Sequence, residues 1–112
     1  MNTPISVLNQ VFGYDKFRGD QEAVIQQIIS GGNAFVLMPT GGGKSLCFQI
    51  PALILDGVVI VVTPLISLMQ DQVAKLQEIG VMATYIASNM PVEEINKCFE
   101  SVIKDKVKLL YV

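Results

Sequence analysis

The stretch "MPTGGGKSLCFQ", Met38 to Gln49, decides how this chain is read. Three glycines, Gly41, Gly42 and Gly43, run directly into Lys44 and Ser45. Before them, "NAFVLM" (33–38) reads as a short buried strand. After them, apolar residues from Lys44 onward read as a helix that Pro51 must kink or break. Strand, glycine loop and helix make the context that a phosphate-binding P-loop requires. Glycine has no Cβ, so successive N–H groups can turn inward around an anion, and a helix starting at Lys44 adds its positive end. Thr40, Gly41, Gly42, Gly43, Lys44 and Ser45 are the expected cradle. Lys44 is the catalytic candidate, with its ammonium on the β- and γ-phosphates, and the Ser45 hydroxyl is the Mg²⁺ ligand. One position departs from the generic pattern G-x-x-x-x-G-K-[ST], because Met38 stands where glycine is usual. The competing reading is a glycine-rich turn that binds nothing, but three adjacent glycines cost stability without a purpose.

Outward from the loop, the chain alternates. Ile5 to Phe12 has helical spacing and stops at Gly13. Asp20 to Ile29 reads as an amphipathic helix closed by "SGG". "GVVIVVT" (57–63) is apolar on both faces, as in a parallel strand covered on both sides. Ser67 to Ile79 is predicted to be a helix with Leu68, Val73, Leu76 and Ile79 inward, and Gly80 fits its C′ position. "VMATYIA" (81–87) is a further strand. Pro91 opens a helix near its first position, with Glu93 and Glu94 in the first turn. The apolar stripe of that helix is Val92, Ile95, Phe99, Val102 and Ile103. Lys106 to Val112 is a fourth strand. This order predicts an α/β fold, an open parallel sheet of about four strands with helices on both faces.

The totals agree with a globular core. The chain has 112 residues, of which 51% are apolar, and a chain of this size buries roughly 65% of its unfolded surface. The net charge of −2 is a poor footprint for a protein that binds nucleic acid over its whole surface, so any such contact must come from local groups. Cys47 and Cys98 lack C-x-x-C spacing and there is no histidine, which argues against zinc and for two small buried thiols in a reducing compartment. The N-terminus shows no signal peptide, and "GVVIVVTPLI" is too short to cross a bilayer.

Three stretches carry a resemblance. "FGYDKFRGDQ" (Phe12 to Gln21), "MPTGGGKSLCFQIPAL" (Met38 to Leu53) and "TPLISLMQDQV" (Thr63 to Val73) together resemble the RecQ family of DNA helicases. They correspond in order to its motifs 0, I and Ia, and Met38 is normal in that family. The resemblance implies a RecA-like P-loop NTPase fold, and the chain reads as the N-terminal part of the first motor lobe. Residues 1–31 would be N-terminal helices carrying the adenine-recognition motif, and residues 32–112 a partial ATP-binding domain. Tyr14 looks like the aromatic that stacks on adenine, and Arg18 and Gln21 like the pair that reads its edge. Glutamine sets a donor beside an acceptor, which suits adenine N6 and N7. Phe17 reads as core. Pro64, Leu65 and Ser67 look like contacts to the backbone of single-stranded DNA, although Ser67 could also cap the following helix. Many relatives have lysine where Gln70 stands here. "IASNM" (86–90) resembles the next DNA-facing loop more weakly.

The implied parent is an ATP-dependent helicase that moves 3′ to 5′, uses ATP and Mg²⁺, acts on single-stranded or forked DNA, and serves recombination and repair. It would lie in the bacterial cytoplasm, at the nucleoid, or in a eukaryotic nucleus, with no membrane role. The family's acidic Asp-Glu-x-His box is absent, and no Asp-Glu pair occurs anywhere in the 112 residues. The chain alone is therefore expected to bind nucleotide without turnover and to need the rest of a helicase chain, the second lobe above all. The alternative is a stand-alone nucleotide-binding module. A small P-loop kinase would carry glycine at position 38 and no Tyr/Arg/Gln set upstream. In the family, the strand that carries the P-loop is flanked by one that arrives later in the chain, so "NAFVLM" is expected to keep one open edge.

Overall fold

A computed structural model of the protein describes residues 3–38, 43–104 and 106–112. The chain forms two compact units, Met1–Asp56 and Gly57–Val112.

The first unit is helical. Helix α1 (Pro4–Val7) is capped by Thr3, whose side chain accepts from the Ser6 N–H. The chain continues through a wider helical turn, Leu8–Phe12, and stops at Gly13, whose φ of 78° is left-handed. Helices α2 (Gln21–Ile29) and α3 (Leu46–Ile54) complete the unit. Val7, Leu8, Ile25 and Ile50 are its core, and Phe17 packs against them as expected. Two expectations are narrowed here. First, α3 starts after a turn at Lys44 and Ser45, and of a kink or a break at Pro51 the break does not occur, since the helix runs on to Ile54. A proline inside a helix costs about 3 kcal/mol. Burial of Cys47, Ile50, Pro51 and Ala52 offsets that cost, at about 1.5–3 kcal/mol for each large apolar side chain. Second, residues 33–38 pair with no strand among the described residues, so "NAFVLM" has two open edges instead of one. Phe35 and Leu37 are 96% and 91% exposed.

The second unit is the α/β part. In chain order it runs β1 (Val59–Val61), α4 (Ile66–Glu78), β2 (Ala83–Tyr85), α5 (Val92–Ile103) and β3 (Leu109–Tyr111). All strands are parallel, in the order β1-β3-β2. The sheet thus has three strands among the described residues, not about four. β3 lies in the middle, with Leu109 opposite Val59 on one side and Ala83 on the other. The chain steps from β1 past the place of β3 to β2, then back, and right-handed connections in both steps put the two helices on opposite faces. Side-chain contacts agree. The Tyr111 hydroxyl reaches Gln72 of α4, whereas Cys98 of α5 reaches Thr84, one position out of phase in the register.

Helix α4 ends as its sequence predicts. Gly80 is left-handed (φ 85°), the Val81 N–H donates to the Leu76 carbonyl at 2.9 Å and the Gly80 N–H to Gln77 at 3.1 Å. That is a Schellman pair. The buried stripe of α4 is Met69, Val73 and Leu76, while Leu68 and Ile79 of the expected stripe are exposed. Helix α5 starts at Val92 with Pro91 as its N-cap, and none of its residues is buried. The expectation of a strand covered on both faces also fails for β1. It is an edge strand, and its Ile60 is 62% exposed.

Candidate nucleotide-binding site and nucleic-acid interface

The loop between "NAFVLM" and α3 closes at Gly43. Its φ of +79° is left-handed, and a Cβ there would stand 2.2 Å from Gln21 Nε2. Only glycine fits on both counts. Immediately after it, the Leu46 N–H donates to Gly43 O at 3.3 Å and the Cys47 N–H to Lys44 O at 3.1 Å, so α3 opens as a tight turn. Lys44 is exposed there and Ser45 half-buried. Thr40, Gly41 and Gly42 lie outside the described residues.

The motif upstream meets the loop at this point. Gln21 opens α2 and is only 2% exposed. Its Nε2 donates to Gly43 O at 3.1 Å, and its Oε1 accepts from the Arg18 N–H at 2.8 Å. The Gln21 N–H returns a bond to Arg18 O at 3.2 Å. Both ends of the amide are thus oriented, because a flip would set N–H against N–H and oxygen against oxygen. Each end keeps one hydrogen or one lone pair in reserve. The Arg18 guanidinium also lies here, with Nη2 3.6 Å from where a Gly43 Cβ would stand. The structure therefore gathers Arg18, Gln21 and Gly43. Tyr14 stands apart from them in exposure, with 57% of its surface open. The Asn9 side-chain amide donates to the Tyr14 carbonyl, and Gly13 turns the chain just before it. Nothing in the spacing of the sequence showed that Asn9 holds this turn, nor that Gln21 would bridge to Gly43.

These residues fit a nucleoside triphosphate with Mg²⁺. Gly43 has the conformation of a loop that wraps an anion, the α3 N-terminus follows it, and Lys44 brings the cation.

In the second unit, the loop after β1 carries the other candidates. The Thr63 N–H donates to Val112 O at 3.0 Å and the Val112 N–H to Val61 O at 2.8 Å, which ties the start of this loop to the end of β3. The Leu65 N–H donates to Thr63 Oγ1 at 3.3 Å. Leu65 is the N-cap of α4 and supplies no side-chain cap, and the first turn holds no acid. Ser67 lies inside that turn and not at the capping position. Pro64, Leu65 and Ser67 are all exposed. "IASNM" follows β2 at the same end of the sheet, where the Ile86 N–H donates to Tyr111 O at 2.9 Å.

A glycine-closed loop feeding a helix, in a chain that also folds a parallel α/β sheet, defines a P-loop nucleotide-binding protein of the RecA-like class. Residues 18–112 match the DEAD/DEAH box helicase family, and the chain belongs to that family. It is 49% identical over 110 residues to the ATP-dependent DNA helicase RecQ of Haemophilus influenzae, which covers 98% of this chain and 18% of that relative. The ATP-dependent DNA helicase RecQ of Bacillus subtilis is 45% identical over 108 residues, covering 96% and 18%. The ATP-dependent DNA helicase Q1 of Rattus norvegicus is 44% identical over 109 residues, covering 95% and 17%. The chain thus spans less than a fifth of the length of these relatives.

Proposed function

We propose that this chain is the ATP-binding start of a RecQ-type, ATP-dependent DNA helicase that moves 3′ to 5′ on single-stranded or forked DNA in recombination and repair. The observation that carries the nucleotide half is the Gln21 amide, held between the Arg18 N–H and Gly43 O. It joins the adenine-recognition segment, residues 1–31, to the phosphate loop of residues 32–112. Lys44 binds the β- and γ-phosphates, Ser45 and the Gly41–Gly43 backbone complete the cradle with Thr40, and Ser45 ligates Mg²⁺. The metal ion would neutralise phosphate charge. Tyr14 stacks on the base, and Arg18 and Gln21 read its edge.

The DNA half rests on the bare N-terminus of α4. Its free N–H groups, with no acid in the first turn, favour a phosphate beside the exposed Pro64, Leu65 and Ser67. The 112 residues hold no Asp-Glu pair to position water and metal, so by themselves they bind nucleotide without DNA-stimulated turnover.

Calorimetric titration tests the nucleotide half. Guanine puts an acceptor, O6, where adenine has the N6 donor, and the Gln21 amide is not free to flip. ATP should bind more tightly than GTP by about 1–3 kcal/mol. Lys44→Ala should weaken ATP far more than adenosine. Equal affinity for ATP and GTP would remove Tyr14, Arg18 and Gln21 from the site, and equal losses in the Lys44 variant would take Lys44 off the phosphates.

A further inference from the structure

We infer that Tyr111, through Gln72, is a positioning residue that holds the N-terminal turn of α4 where Leu65 and Ser67 can meet a nucleic-acid backbone. This rests on the DNA reading of that loop given above.

Tyr111 ends the central strand β3 and is fully buried. Leu109, on the same face of the same strand, is also fully buried with no polar atom in its side chain. A phenol at such a position brings a hydroxyl that must find a partner. It finds one on α4, since the hydroxyl donates to Gln72 Oε1 at 2.6 Å.

Most of the rest of the α4 contact is apolar, with one further polar tie toward the helix C-terminus, where Gln77 Nε2 donates to the Ala83 carbonyl of β2 at 3.0 Å. Met69, Val73 and Leu76 press the helix on the sheet, and such packing sets distance more firmly than rotation or axial register. A hydrogen bond is directional. The Tyr111–Gln72 bond therefore sets the rotation and axial position of the N-terminal half of α4, as the Gln77–Ala83 bond does toward its C-terminus. Gln72 lies five residues after Ser67, about 7.5 Å along the helix axis. The turn bearing Ser67 is thus within the stiff length of α4. At its other end, the loop is tied to the same strand terminus by the bonds among Val61, Thr63 and Val112. The loop is held twice by the end of β3, once through its own backbone and once through α4.

The test uses the 112-residue chain and a fluorescent single-stranded oligo-dT. Its four proteins are wild type, Tyr111→Phe, Gln72→Met and the double variant. Anisotropy gives the DNA Kd, and hydrogen exchange without DNA gives the protection of residues 63–69. Each single substitution should raise Kd about three- to tenfold, and the double variant should be no weaker than either single one. Exchange in residues 63–69 should speed up in all three. Gln72→Glu keeps the acceptor and should keep the protection, which a loss of packing would not predict. Wild-type exchange in both single variants would overturn the inference, and so would additive losses in the double variant. Faster exchange with unchanged Kd would mean that the loop is positioned but does not touch DNA, which fails the DNA reading and the inference with it. A wild-type chain that binds no oligonucleotide fails both in the same way. If Tyr111→Phe does not fold, Gln72→Met at the half-buried position on α4 carries the comparison.

Discussion

Gly43 has no freedom to become anything else. A side chain there would occupy a left-handed conformation, at about 1–3 kcal/mol, and its Cβ would displace the Gln21 amide. Gly43→Ala should therefore lower stability by roughly that amount and also cut ATP affinity tenfold or more, as a denaturant melt and a titration would show. Loss of stability with unchanged affinity would separate the amide bridge from nucleotide binding. Cys47 makes a second prediction. Burial in α3 pushes its thiol above the ordinary value. The folded state then holds the proton more firmly than the unfolded chain does. The contribution is complete at neutral pH and is lost as pH climbs past the ordinary thiol value of about 8.5. Between pH 7 and 10 the wild type should lose more stability than Cys47→Ala, measured by urea midpoints, and parallel curves would contradict it. At this scale the sequence showed residue types well. The Gly-Lys-Ser run was visible as a motif because chemistry constrains its identity, whereas Tyr14, Arg18 and Gln21 were singled out only through the family resemblance. The bond from Gln21 to Gly43 was not visible, because it joins positions 22 residues apart that only folding brings together.

Helices were more legible than strands. Helix α2 and the C-terminus of α4 follow from spacing and from glycine stops, which are local. The phase of α4 was read less well, since Leu68 and Met69 are both apolar neighbours and the sheet decides which turns inward. Helix α5 has the apolar stripe that was expected, yet Ile95 and Val102 are only half-buried and Val92, Phe99 and Ile103 are exposed. A stripe records segregation along a helix, whereas burial requires a neighbour. "NAFVLM" makes the same point for strands, because its composition suits a ladder but a ladder needs a second chain segment. Position within the sheet has a testable effect. Leu109→Ala, in the buried central strand, should cost about 2–5 kcal/mol. Ile60→Thr, on the exposed side of the edge strand β1, should stay within about 0.5 kcal/mol. Chemical denaturation of the two variants decides this, and similar losses would mean that β1 is not an edge.

At the scale of the whole molecule, apolar groups face water in several places. Phe35 and Leu37 on the unpaired segment, Val62 beside β1, and Val92 and Ile103 of α5 are all largely exposed. Unpaired backbone joined to apolar side chains is a template for association. The chain should therefore self-associate at concentrations where most domains are monomeric, and Phe35→Ser with Leu37→Ser should shift it toward monomer. Light scattering behind a sizing column reads this directly, and a monodisperse monomeric wild type would refute it. The sheet order has a different consequence, which concerns time. Among the described residues, every ladder of the Gly57–Val112 unit includes β3, and β1 and β2 are joined through it. On the ribosome β1 and β2 emerge first and must wait as nascent, partnerless segments until Leu109 to Tyr111 clear the exit tunnel. Of these three strands, the one made last is the one around which the other two assemble, so this three-stranded sheet forms in one step and not strand by strand.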